Sequence, residues 1–276
     1  MLIRTGYRID IELSAPAAIQ TILDIHPTRA GDVISEHHDV TPAMSEQRMR
    51  DTFDNISRVI HAPAGLVSLS GDGVVYDHGL HETYDFVSSV TEVASLPPGV
   101  LQFLRPSRYC EVDELGALAW NQFGHLQGAH ARVQAVCDYV HGALQFDYAR
   151  ADATRTAAKA LQAGTGVCRD FAHTAIALVR CLNIPARYAT GFLGDIGVPK
   201  DPAPMDFSAW FEAYIGGRWY TYDARHNKPR IGRIVLGYGR DATDVAMLTT
   251  FGPHVLKRFE VITDELEAAS TRSAAA

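Results

Sequence analysis

Over residues 1 to about 85, apolar and polar positions alternate in short runs: YRIDIEL (7–13), RVIHA (58–62) and LVSLS (66–70). Period-two alternation predicts half-buried strands, because successive side chains point to opposite faces of a sheet. IQTILDIHP (19–27) adds a short apolar run, and GDG at 71–73 predicts a hairpin turn ahead of VVYDH. Several short strands separated by turn signals predict a small β-sandwich or sheet domain over residues 1–90. The stretch ASLPPGVLQFLRP (94–106), with three prolines and a glycine, reads as a linker over 91–106.

Beyond the linker the period changes to that of helices. ELGALAWNQF, HARVQAVCDYVHGALQF, TAAKALQAG and VCRDFAHTAIALVRCL follow one another, the last stopped at NIP by its proline. DFSAWFEAYI and RWYTYD then read as two strands joined by Gly216-Gly217, a two-residue hairpin signal. Helices followed by an antiparallel sheet predict a second unit of α+β class over 107–265, with a disordered tail at 266–276 ending in EAASTRSAAA.

Composition agrees with a globular protein: 276 residues, 47% hydrophobic and 21% charged. A formal net charge of −7 argues against nucleic acid or an anionic membrane as partner. The N-terminal stretch MLIRTGYRIDIELS has no apolar run of signal-peptide or membrane-span length, so a cytoplasmic location is the expectation. Four cysteines without a CxxC pair predict neither a disulfide framework nor a zinc site. No Gly-rich phosphate loop is present, and no cofactor is expected.

GTGVCRDFAHT (164–174) carries the candidate chemistry. On a helix from Val167 to Leu182, residues Cys168, Ala172, Ala175, Val179 and Leu182 share one apolar face, with Cys168 in the first turn. A thiol there is either a small core residue or a nucleophile, whose thiolate the unpaired N–H groups of the first turn would stabilise. The same groups would hold the oxyanion of a tetrahedral intermediate. Cys110, Cys137 and Cys181 lack this setting.

In the hairpin, Ile215 pairs with Arg218, so Ser208, Trp210, Glu212 and Tyr214 face Arg225, Asp223, Thr221 and Trp219. Ser208 and Asp223 then lie diagonally adjacent on one face. A histidine at 208 would complete a Cys–His–Asp triad.

GVCRDFAHTAIALVRCLNIPARYATGF followed by SAWFEAYIGGRWYTYDARHN resembles the transglutaminase-like superfamily, in its bacterial branch of cysteine-protease candidates. The N-terminal strands resemble the domain that accompanies the core in that branch. The resemblance implies a papain-like α+β core that makes or breaks amide bonds through a Cys thioester, acting on a peptide or protein, with a glutamine or amide side chain as one form of substrate. Cys168 matches the family nucleophile and Asp223 the family carboxylate. The family histidine falls on Ser208, which at neutral pH is no base.

Three readings of that departure follow. Another histidine substitutes; the pocket survives only to bind peptide or protein partners; or the serine was introduced by engineering. His226 is nearest in sequence to Asp223, but strict alternation puts it on the opposite face unless a bulge or the end of the strand swings it back. His173 is five residues past Cys168, about 140° around the helix. Arg169 and Asp170 read as a structural ion pair or as tuning the thiol. Trp210 reads as core or as a pocket wall, and Asp241 in GRDATDVAMLTTFG as cleft-lining or solvated. EHHD (36–39) lacks a third ligand at suitable spacing, so no metal is expected.

Overall fold

The computed structural model describes residues 1–85 and 87–266. The tail EAASTRSAAA, expected to be disordered, lies outside the described residues.

The first unit contains β1 (Leu2–Leu13), β2 (Ala17–Thr21), β3 (Val33–Thr41), β4 (Glu46–Arg50), β5 (Ile56–Ala62) and β6 (Gly65–Tyr76). The second contains α1 (Val112–Phe123), α2 (Ala129–Ala143), β7 (Gln145–Phe146), α3 (Ala157–Ala163), β8 (Thr165–Gly166) and α4 (Cys168–Cys181). It continues with β9 (Ala186–Leu193), β10 (Ser208–Ile215), β11 (Arg218–Tyr222) and β12 (Arg233–Gly239), and the chain closes with β13 (Leu248–Phe251) and β14 (His254–Leu266). The class is α+β, as expected.

Three four-stranded antiparallel sheets organise the molecule, in the orders β14-β1-β6-β3, β13-β2-β5-β4 and β11-β10-β9-β12. The first two enclose an apolar core that includes Ile3, Ile9, Ile11, Ile19, Ile60 and Val67. The last two strands of the described residues therefore pair within the N-terminal sheets, β13 with β2 and β14 with β1. Local patterning does not reveal this, because a strand's sheet is chosen by long-range pairing.

The turn expected at GDG does not form: residues 71–73 lie inside β6, which runs unbroken beside β1. A Cβ at Gly71 would sit 2.3 Å from Cε1 of Tyr7. The glycine makes room for a cross-strand aromatic ring, a strand use of glycine that looks like turn chemistry in one dimension.

The hairpin register is the one read from sequence, from Ile215↔Arg218 to Phe211↔Tyr222, with Gly216 and Gly217 at φ 58° and 92°. Helix α4 departs from the single apolar face expected: every residue but Arg169 is buried. The helix lies against α1, α2 and α3 and against β9 and β10, so it has no solvent side. Even Arg180 is enclosed, its guanidinium bonded to the carbonyls of Ala186, Arg105 and Arg240 at 2.6–3.0 Å.

Candidate active site

The site begins at the turn into α4. Helix α3 ends at Gly164, and β8 pairs in parallel with β7 just before Val167 caps the new helix. A Cβ at Gly166 would lie 2.6 Å from Cβ of Asp170, so only glycine lets that side chain fold back. Asp170 Oδ2 accepts the Val167 N–H at 2.9 Å, and Arg155 Nη1 stands 3.5 Å away. Arg169 turns outward, donating to the Asp152 carbonyl at 2.7 Å, with its guanidinium 5.5 Å from the Tyr109 ring. Arg169 and Asp170 thus do not pair with each other, and Asp170 is 1% exposed, beyond reach of a substrate.

This capped turn presents Cys168, which is 9% exposed. Burial pushes the thiol up to about 11; the Arg225 guanidinium and the backbone N–H groups of Ala209 and Arg169 pull it down, against the Asp206 carboxylate. Desolvation of the anion outweighs the helix terminus. Burial thus favours the neutral thiol over the thiolate that a helix terminus would stabilise.

Ser208 opens β10 opposite Gly191, next in the chain to the Ala209 whose N–H serves the sulfur. Its carbonyl accepts the Thr190 hydroxyl at 3.0 Å, while its own Oγ is buried with no hydrogen-bond partner.

Strand β11 stops at Tyr222, and residues 223–226 form a turn closed by the Asn227 N–H on the Asp223 carbonyl at 2.8 Å. Asp223 Oδ1 accepts the N–H groups of Arg225 and His226, both at 3.0 Å. Oδ2 takes His226 Nδ1 at 2.8 Å and Arg233 Nη2 at 2.6 Å. Burial alone would raise the Asp223 carboxyl, but the His226 bond and the Arg233 charge hold it well below the usual carboxylate range. The swing-back that strict alternation forbade to His226 is made by ending the strand early.

Ser208, His226, Arg225, Asp206, Tyr148 and Arg230 line one cleft of about 80 Å³. Arg225 and Asp206 are the cleft charges felt most at Cys168, and Tyr148 in turn feels the sulfur. The Arg225 guanidinium sits 3.8 Å from the Phe146 ring centre. Burial raises the Asp206 carboxyl. The register expected from sequence set Arg225 opposite Ser208 and Asp223 opposite Trp210, but β11 ends at Tyr222 and neither pairing forms; Asp206 and Tyr148 had no signal in the sequence.

The remaining sequence candidates lie elsewhere. Trp210 is 2% exposed, packed with Ala189, Val235 and Tyr238, and is not a cleft wall. Asp241 is fully buried, holding the N–H groups of Tyr109 and Thr243 at 2.9 Å, and lines no cleft. His173 is also sealed, stacked on Tyr109 with ring centres 5.0 Å apart, accepting the Ala242 N–H at 3.1 Å; burial holds it neutral. In the first unit Asp24 supplies the neighbour that EHHD lacked in sequence: it brings a ligand atom within 4.8 Å of those of Glu36 and His38. Its carboxylate already holds Arg58 at 2.6 Å and Arg48 at 2.8 Å, which makes the cluster an ion-pair network.

The thiol at the start of α4 and the carboxylate–imidazole pair at the end of the hairpin both lie in the helix–sheet unit. Residues 117–224 match the family model of the transglutaminase-like superfamily. The chain is similar to the crystal structure of a candidate cysteine protease from Cytophaga hutchinsonii, with 27% identity, 97% of this chain and 91% of that chain covered, and a TM-score of 0.83. It is 28% identical over 229 residues to an uncharacterized protein, ML0607, of Mycobacterium leprae, covering 78% of this chain and 79% of that protein. The matched residues run from within α1 through β11, the helices and the hairpin that hold the site. Among the described residues no helix is long and apolar enough to cross a membrane.

Proposed function

We propose that this chain is a thiol acyltransferase acting on peptide or carboxamide bonds, in which His226, oriented by Asp223, takes the role of the base absent at position 208. The observation that carries the reading is the 2.8 Å Asp223–His226 bond in a residue that shares its cleft with Ser208. Binding Nδ1 to a carboxylate fixes the tautomer and leaves Nε2 as the proton acceptor.

Because the Cys168 thiol is protonated at rest, the mechanism is general-base catalysis and not a preformed ion pair. As Sγ attacks the substrate carbonyl carbon, the thiol proton passes to His226 Nε2. The carbonyl π electrons move to oxygen, and N–H groups around the helix start hold the oxyanion. Collapse expels the amine, which takes the proton back from His226, and leaves a thioester. Water or a second amine then attacks the thioester, with His226 accepting its proton and returning it to sulfur. Ser208 contributes at most a hydrogen bond. Four buried free thiols suit a reducing, cytoplasmic setting.

A second reading, a non-catalytic domain that binds peptide in the inherited cleft, is favoured by the raised thiol and the serine at 208. The two separate on turnover of a fluorogenic peptide amide by purified protein. The enzyme reading expects thiol-dependent release abolished by Cys168→Ala and lowered about 10²-fold or more by His226→Ala, the scale of one general base. Turnover absent from folded wild type, with peptide binding retained, would favour the binding domain.

A further inference from the structure

The cleft that holds Ser208 and His226 is lined by groups of both charges, and all but one are engaged or held toward neutrality. Asp195 accepts the Asp201 N–H at 2.7 Å and stands 3.4 Å from Arg230, which also bonds the Gly194 carbonyl at 2.8 Å. Asp201 accepts the Ala203 N–H at 2.9 Å, and His226 is bound to Asp223. Burial raises the Asp206 carboxyl, which favours its neutral form, and among the described residues no ion pair joins it to an arginine.

Arg225 is the exception. Its backbone is fixed by the turn, with its N–H on Asp223 Oδ1 at 3.0 Å and its carbonyl 2.9 Å from His141 Nδ1. The guanidinium lies against Phe146, 3.8 Å from the ring centre, and Phe146 meets Tyr148 edge-on with ring centres 4.8 Å apart. Contact with a ring face holds a guanidinium in place but leaves its in-plane N–H groups unfilled. Among the described residues this side chain has no hydrogen-bond acceptor and no carboxylate in ion-pair range.

Those donors are accessible. Arg225 is half-buried, and none of its nitrogens is among the unpartnered polar atoms sealed from solvent, where Nε of Arg230 and of Arg233 are found. Its charge acts on two other lining residues, Asp206 and Tyr148, and on Cys168. A planar fork braced by an aromatic ring and short of acceptors matches the two oxygens of a carboxylate. The cleft holds about 80 Å³, room for a short chain, so such a carboxylate would sit close to the reacting carbonyl.

We infer that Arg225 is the specificity-determining residue of this cleft, binding a carboxylate carried on the acyl half of the substrate a few bonds from the scissile carbonyl. The inference rests on the acyl-transfer reading, in which the acyl half stays bonded to Cys168 through both steps while the amine departs.

A matched pair of substrates tests it: glutaryl-p-nitroanilide, whose carboxylate is free, and the same compound with that carboxylate converted to a primary amide. Wild type should show kcat/KM at least about 10-fold higher for the acid, the scale of one charge-assisted hydrogen bond. In Arg225→Gln that ratio should fall to about 1, whereas a purely structural loss would lower both substrates together and leave the ratio standing. Should Arg225→Gln not fold, Arg225→Lys, which keeps the charge and loses the planar fork, should reduce the ratio several-fold. Calorimetric titration of the same pair into Cys168→Ala reads binding without turnover. The acid should bind about 10-fold more tightly there, and adding Arg225→Gln should remove the difference. Turnover with no preference for the acid, or a preference that persists in folded Arg225→Gln, would overturn the role of Arg225 and leave the acyl-transfer reading standing. A binding preference that depends on Arg225, with no turnover by wild type, would do the reverse. Equal binding of acid and amide, or binding of neither, by Cys168→Ala would also overturn that role.

Discussion

Asp223 and His226 meet across a single turn: carboxylate Oδ2 stands 2.8 Å from imidazole Nδ1, in a segment that would splay them to opposite faces had β11 run four residues further. The pair shares its carboxylate with Arg233 at 2.6 Å, so one buried charge anchors the turn, the imidazole and the entry to β12.

Removing that charge should be expensive. Asp223→Asn leaves Arg233 buried opposite a neutral amide, and breaking a buried pair costs about 3–5 kcal/mol. Chemical denaturation at neutral pH measures it. The Asp223 carboxyl is depressed in the folded state, so its contribution is complete above the ordinary value of 3.8 and is lost as pH falls below it. The variant should therefore show a shallower loss of stability at acid pH than wild type; an equally steep acid limb would place the acid sensitivity elsewhere.

Cys168 should behave as a protonated thiol. Its rate of alkylation by iodoacetamide, followed by mass spectrometry at that residue, should keep climbing toward about pH 11 and show no plateau near pH 6. The folded value is raised, so the native state binds the thiol proton more tightly than the unfolded chain. The associated stability is full below about pH 9 and fades between there and 11. A plateau below neutrality would mean that an ion-paired thiolate is present at rest.

On the acyl-transfer reading, a histidine introduced at position 208 should help catalysis. Ser208→His places an imidazole next to the backbone N–H that serves the thiol, and amide turnover should rise over wild type under matched conditions. Unchanged turnover in a folded variant would speak for the binding-domain reading.

Gly71→Ala should destabilise the N-terminal sheets by about 1–3 kcal/mol, the usual cost of overpacking. The new Cβ would collide with the Tyr7 ring, which is held by its hydroxyl at 2.8 Å from His38 Nδ1. Thermal melting checks it. Adding Tyr7→Ala should shrink the increment due to Gly71→Ala; an increment of the same size in both backgrounds would count against the clash.

His173 should stay neutral while exposed histidines titrate. Burial disfavours its charged form, and its Nε2 accepts a backbone bond that protonation would break. Its folded value is depressed, so its contribution is full above the ordinary 6.5 and lost as pH falls below that. Imidazole carbon shifts followed by NMR from pH 7 to 5 should not move at this residue; a titration midpoint near 6.5 would contradict the packing.

Much of the core was legible because its signals are local. All four helices, the hairpin register and the first-turn position of Cys168 follow from periodicities and a Gly-Gly turn within a few residues of one another. GDG misled because a glycine spared for a neighbouring ring and a glycine needed for a turn look alike until the ring's position is known. Strands β3, β4, β9 and β12 had no clear alternation and emerged only as partners of strands already placed.

By itself the sequence determined the α+β class and the thiol at the start of α4, since each depends on residue identity and short-range spacing. Only the tertiary structure decided that β13 and β14 join the N-terminal sheets, that His226 turns back onto Asp223, and that burial raises the thiol. Those three outcomes depend on which distant groups exclude water or supply charge, and burial is a property of the packed chain that no local pattern carries.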